Sequence, residues 1–284
     1  MALPLSLNTN VPALEALRQL SGTNQNLQET QERISSGKIV RSAEDNAATF
    51  AISRNLKADF QSFNAVGQSL DRATSALDVA ITSAESIQDI LIDMKEKVVA
   101  ASDQGLDSQS RTSIALDFEK LRDQITTIVR NAEFNGTNLI DNGTDFISAI
   151  VSTDAQDTIQ VSHQTLALNP SATLSTSDQI RFTAGASFAT ATEAQGLISA
   201  VDASIENLSE VLTEFGSTAS TIERQNQLTQ EIQDTIEVGI GNLVDANMAR
   251  ESARLQALQV QQQLGTQALS IANQTPQIIL SLFG

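Results

Sequence analysis

The 284-residue chain has no cysteine, no tryptophan, no tyrosine and a single histidine, His163. Without thiols it forms no disulfide, thiolate metal site or cysteine nucleophile. Structural and catalytic metals want two or more nitrogen or sulfur ligands. His163 has no partner of that kind, so it reads as a plain surface histidine. No catalytic, metal or cofactor site is expected. Cations are scarce as well: 17 Lys and Arg stand against 34 Asp and Glu, a formal charge of −17. That balance argues against nucleic acid, whose phosphates need clustered cations, and against an anionic membrane surface. No apolar run approaches the roughly 20 residues that cross a bilayer, so no membrane insertion is expected. Met1 to Leu5 lack the basic start and apolar run of a secretory signal peptide. Aromatics make up 4% of the chain, and only 13 Gly and 4 Pro interrupt it. A core of Ala, Leu, Ile and Val with few breakers implies long packed helices.

Hydrophobic spacing carries the strongest positive signal. Val66, Leu70, Ala73, Leu77, Ala80, Ala84, Ile87, Leu91, Met94 and Val98 follow alternating steps of four and three, an unbroken heptad seam. After Ser102-Asp103-Gln104-Gly105 a second seam runs through Ile114, Phe118, Leu121, Ile125, Ile128 and Ala132. A short loop between two seams implies an antiparallel hairpin of helices. Residues 141–190 lose the helical period, and Ile147 to Val151 and Thr158 to Ser162 read as short strands. Helix resumes near Thr192 with Val201, Ile205, Leu208, Leu212, Phe215, Ala219 and Ile222. The seam then shifts through Leu228, Ile232, Ile236 and Ile240, with a hinge expected at Gly239-Ile240-Gly241.

The two ends are amphipathic too. Ala13, Leu17, Leu20, Asn24, Leu27, Gln31 and Ile34 form a seam with two amides in it. Ala246, Ala249, Ala253, Ala257, Val260, Leu264, Ala268 and Ile271 form a small-residue stripe with an eleven-residue repeat. A second stripe of Val244, Met248, Leu255, Leu258 and Leu269 lies beside it. A helix with two apolar stripes is covered from two sides. The simplest arrangement pairs the chain ends, with Leu17, Leu20, Leu27 and Ile34 meeting Ala253, Ala257, Val260 and Leu264. Ala-rich stripes bury little area, so such a pair scarcely offsets its ordering cost of about 1–2 kcal/mol per residue. The ends are therefore expected to be disordered in the monomer and to fold when copies pack together.

Other short patterns are weaker. Ser35-Ser36-Gly37-Lys38 has S-x-x-K spacing but lacks its companion elements. Asp141-Asn142-Gly143-Thr144-Asp145 fails the frame of a calcium loop and reads as a solvated turn. Asn135-Gly136-Thr137 and Asn142-Gly143-Thr144 fit a glycosylation acceptor pattern that turn chemistry explains equally well. Sugars on Ser or Thr of residues 148–190 are a further option.

Three stretches resemble bacterial flagellin. Arg33 to Ala48 (RISSGKIVRSAEDNAA) is similar to the family's L-S-S-G-x-R-I-x-S-A-x-D-D-A-A signature. Ile34 stands for its Leu and Asn46 for its second Asp. Ala132 to Ile140 (AEFNGTNLI) resembles the F-N-G-x-x-L turn. Gln259 to Gly265 (QVQQQLG) with Ala272 to Gln277 (ANQTPQ) resembles the Q-I-L-Q-Q-A-G and A-N-Q-x-P-Q ending.

The resemblance implies a structural subunit that polymerises into the flagellar filament, secreted and extracellular. It implies a mainly α fold of long antiparallel coiled-coil-like helices, paired terminal helices and a small β-rich middle. On that basis residues 1–40 with 245–284 form the inner terminal-helix domain, 41–140 with 191–244 the long-helix bundle, and 141–190 its outward-facing segment. Subunit-assembly positions are Leu17, Leu20, Leu27, Ile34, Ala253, Ala257, Val260, Leu264, Ala268 and Ile271. The implied partners are further copies, other flagellins, junction and cap proteins, an export chaperone and the type III export apparatus. Flagellins sensed by the animal innate receptor Toll-like receptor 5 carry an R-V-R-E-L-like run. Here the matching stretch is Asp93-Met94-Lys95-Glu96-Lys97, with one cation reversed and the Leu replaced, so weak receptor activation is implied. The alternatives are a hook–filament junction protein, which does not build long filaments alone, and a soluble signalling coiled coil. A protease of the H-E-x-x-H kind is excluded by the missing motif.

Overall fold

The computed structural model describes residues 9–170 and 178–283. The signal-peptide reading of Met1 to Leu5 lies outside the described residues. Among the described residues, five helices follow the seams: α1 (Val11–Ser36), α2 (Ala47–Ala101), α3 (Ser108–Asn131), α4 (Ala191–Val244) and α5 (Met248–Phe283). Among the described residues, two antiparallel hairpins lie between α3 and α4. β1 (Glu133–Phe134) pairs with β2 (Thr137–Asn138), and β3 (Ile147–Ile150) pairs with β4 (Thr158–Val161). The mainly α architecture with a small β-rich middle is thus present. Among the described residues, no helix is long and apolar enough to cross a membrane.

The chain divides into two units, one of residues 59–234 and one of residues 1–58 with 235–284. In the first, the whole α2 seam from Val66 to Val98 is buried, together with Phe118 and Ile125 of α3 and Val201, Leu208, Phe215 and Ile222 of α4. Polar side chains set the antiparallel register of α2 and α4. Gln233 Nε2 donates to Asn64 Oδ1 at 3.1 Å, Asn226 Nδ2 to Asp71 Oδ1 at 2.8 Å, and Gln88 Nε2 to Ser209 Oγ at 3.1 Å. Lys95 meets Asp202 at 2.7 Å. Every step up α2 is matched by an equal step down α4, as a seven-residue repeat requires.

Caps fix the ends. Asp107 accepts the backbone N–H groups of Gln109 and Ser110 at the start of α3. Thr190 and Glu193 form a reciprocal capping box at the start of α4. Arg111 closes α2: Nε donates to the carbonyl of Ala101 at 3.0 Å, and Nη2 to those of Asp103 at 2.8 Å and Leu106 at 3.1 Å. A buried cation against helix-end carbonyls is favourable in charge and in hydrogen bonding. The middle segment then folds back onto the helices. Ile150 N–H donates to Ser69 Oγ, Arg181 N–H to Ser204 Oγ, and Phe182 and Phe188 pack on Phe118 at 6.0 and 5.4 Å.

One expectation is corrected here. The α4 seam does not pass through Leu228, which is 46% exposed, but through Thr229, which is buried. Thr229 Oγ1 donates to the Gln225 carbonyl, so its hydroxyl is satisfied and its methyl faces inward. Gly239-Ile240-Gly241, the expected hinge, lie within α4. The helix ends at Val244, where Ile39 N–H donates to the Val244 carbonyl and Ala246 N–H to the Gly37 carbonyl.

Candidate assembly interface

In the unit that holds both chain ends, Asn10 caps α1 by accepting from Ala13 N–H at 3.2 Å. The same amide donates to the Ala272 carbonyl at 2.9 Å. Further along, Leu20 lies beside Gly265, Asn24 accepts from Gln262 Nε2 at 2.8 Å, and Arg33 approaches Glu251 at 3.8 Å. Lys38 and Asp245 form a β-bridge. Numbers rise on one side as they fall on the other, so α1 and α5 run antiparallel. Gly265 sits at the tight point of this approach. A Cβ there would stand 3.2 Å from Leu20 Cδ1.

The inward face of α1 is Ala13, Ala16, Leu20, Thr23, Leu27, Thr30 and Ile34. Of the expected seam, Leu20, Leu27 and Ile34 do turn inward, while Leu17 is 51% exposed. The small Ala16 and the buried Thr23 and Thr30 take the alternate places, which lets the helices approach. The inward face of α5 is Glu251, Leu255, Leu258, Gln262, Gly265, Leu269 and Ala272, a heptad seam. Ala253, Ala257, Val260, Leu264, Ala268 and Ile271 are all exposed, Ile271 by 66%. Leu17, Leu20, Leu27 and Ile34 therefore do not meet Ala253, Ala257, Val260 and Leu264 within one chain. The two-stripe pattern explains why: Leu255, Leu258 and Leu269 of the second stripe meet α1, Met248 stays exposed, and the small-residue stripe from Ala249 on is left open.

The stretch from Gly37 to Asp45 closes this pair. Gly37 ends α1 at φ 70°. Ile39 N–H donates to the Val244 carbonyl at 2.7 Å, and Ala246 N–H to the Gly37 carbonyl at 2.8 Å. Asp45 accepts from the N–H groups of Arg41 and Ser42, and these hold its carboxyl below the usual range. Arg41 also pairs with Glu32, lowering that carboxyl too. Asn46 accepts from Thr49 N–H at 3.0 Å and so starts α2. Glu251 is buried, and neither its Oε2 nor Arg33 Nε has a hydrogen-bond partner. The ion pair they form looks like two surface charges in the sequence. Only a register between distant helices could have shown it.

Elsewhere Asp93, Lys95 and Glu96 lie exposed on α2, and half-buried Lys97 sits 3.7 Å from Glu96. His163 is not a plain surface residue. Its side chain is 12% exposed, and Nε2 lies 3.2 Å from Asp141 Oδ1. The β3–β4 hairpin brings it to the wall of a polar cavity of about 650 Å³ with Asn142, Phe146, Gln160 and Asp178. Among the described residues no group of three or more His, Asp or Glu could hold a metal ion.

Comparison with known proteins bears on both ends. Residues 7–145 match the family model described as the bacterial flagellin N-terminal helical region, and residues 198–283 the one described as the bacterial flagellin C-terminal helical region. Flagellin FljM of Caulobacter vibrioides is 41% identical over 98% of both chains. The flagellin of Brucella melitensis is 34% identical over 98% of this chain and 99% of its own. Among solved structures, a putative flagellar hook-associated protein from Vibrio parahaemolyticus superposes with a TM-score of 0.57 at 16% identity. That likeness covers 71% of this chain and all of the other, and it concerns the fold alone.

Proposed function

This chain belongs to the bacterial flagellin family, and we propose that the open stripe of α5 is where its copies stack. The protein is a structural subunit that polymerises into the extracellular flagellar filament. The observation that carries the assignment of the stripe is the contrast along α5: Leu258 is 6% exposed, whereas Val260 and Leu264 are 54% and 57% exposed. A contiguous apolar row left uncovered marks an interaction surface. Residues 1–40 with 245–284 supply the inner layer in this reading, and the exposed Leu17 extends it on α1. The α1–α5 pair is thin and polar at Asn24, Thr30 and Glu251, so neighbouring copies add to its stability in this reading. Export without cleavage, by a chaperone and a type III apparatus, accords with such ends. The chain works by packing rather than by catalysis.

The test is electron microscopy of purified chain after seeding. The parent builds long filaments, and Ala257→Asp or Ala268→Asp builds none while the middle stays folded. Normal filaments from either variant would remove the stripe from the interface. Long filaments from the parent alone also separate it from a junction protein.

We further infer weak recognition by Toll-like receptor 5. Asp93 puts an anion, and Lys97 a cation, where the family's responsive members have Arg and Leu. A reporter assay with purified monomer should give a feeble response, and a potent one would refute the alignment.

A further inference from the structure

The assembly surface uses neither of the two Asn-Gly-Thr stretches, and the structure treats them differently. In Asn135-Gly136 both residues have positive φ, 50° and 83°, in a two-residue turn between paired Phe134 and Thr137. The next residue, Asn138, is buried. It donates to the Val129 carbonyl at 2.7 Å and accepts from Ile140 N–H at 2.9 Å, so the turn is anchored. Asn142-Gly143 lies outside both hairpins, and residues 142–145 are all exposed. The Gly143 N–H donates to Asp141 Oδ1 at 2.6 Å, and that carboxylate is steadied by His163 Nε2 at 3.2 Å. A Cβ on Gly143 would stand 2.8 Å from Asp141 Oδ1, so any other residue there would push the carboxylate from this nitrogen.

We propose that Asn142-Gly143 is a site of spontaneous covalent modification, in which Asn142 becomes aspartate and isoaspartate with Asp141 as the base. The Gly143 nitrogen attacks Asn142 Cγ, forming an N–C bond as its proton passes to Asp141 Oδ1. The side-chain amide leaves with that proton as ammonia, and a five-membered imide remains. Water, the sole co-reactant, opens the ring. Attack at the side-chain carbonyl gives aspartate, and attack at the main-chain carbonyl gives an isoaspartyl link with one extra backbone carbon. No electrons are transferred. Asn135 is spared because closing the ring there would unwind the anchored turn. The product puts a new carboxylate next to Asp141, on the rim of the polar cavity. The outward-facing segment thereby gains negative charge with age.

The test is incubation of the full folded chain in warm neutral buffer, followed by peptide mapping with mass spectrometry and an isoaspartate-specific label. Asn142 should convert steadily while Asn135 persists, and in urea the two should convert at similar rates. An intact Asn142 in folded chain, or Asn135 converting as fast, would overturn the proposal. Asp141→Asn should slow conversion several-fold in chain whose circular dichroism matches the parent. Unchanged conversion in that variant would overturn the role of Asp141.

Discussion

Thr23, Thr30 and Thr229 sit in seam positions that the spacing alone gives to their neighbours Asn24, Gln31 and Leu228. Threonine can do this because its hydroxyl bonds back along its own helix, as Thr23 does to the Gln19 carbonyl at 2.9 Å, leaving a methyl to pack. Arg111 departs from its apparent type in the opposite way, a cation that serves a helix end from inside. Arg111→Ala leaves three carbonyls near the end of α2 without their donor. The expected loss is about 3 kcal/mol, since hydrogen bonds to charged groups contribute roughly 1.5–3 kcal/mol each and are not additive. Urea unfolding of the middle unit would measure it. The carboxyls of Glu32 and Asp45 titrate below their ordinary values because Arg41 and backbone N–H groups favour the charged form. A depressed folded value means stabilisation that is present above the ordinary carboxylate range and lost as pH falls through the lowered one. Amide protection factors at residues 41–46, corrected for the intrinsic pH dependence of exchange, should therefore fall in acid and stay unchanged between neutral and mildly alkaline pH.

Among the elements, the long seams of α2, α3 and α4 were legible because each is buried by helices of the same chain, and burial then follows hydrophobicity. The middle strands were legible from loss of period and β-branched runs. The α1–α5 face was legible only in part. Leu20, Leu27 and Ile34 satisfy any seam, but choosing Ala16 over Leu17 depends on how closely α5 approaches at Gly265. The register also rests on single polar pairs, Asn24 with Gln262 and Arg33 with Glu251, that follow no periodic pattern. The two stripes of α5 make opposite predictions. Leu258→Asp places a charge in the α1–α5 seam and should cost about 3 kcal/mol or more of pair stability. Ala257→Asp should leave the same pair as stable as the parent, so thermal unfolding separates packing within a subunit from packing between subunits.

For the molecule as a whole, the decisive quantity is charge. Each subunit carries a formal −17, so stacking copies gathers like charge along the filament. Screening shortens that repulsion to about 10 Å at 0.1 M salt. Seeded elongation, followed by light scattering, should quicken with moderate salt and slow in its absence. The pairing of Leu20 with Gly265 has a different consequence, one of timing. Gly265 follows Leu20 by 245 residues, so a ribosome finishes the first helix long before it makes the helix that covers it. A product that stops short of α5 keeps the inward face of α1 bare.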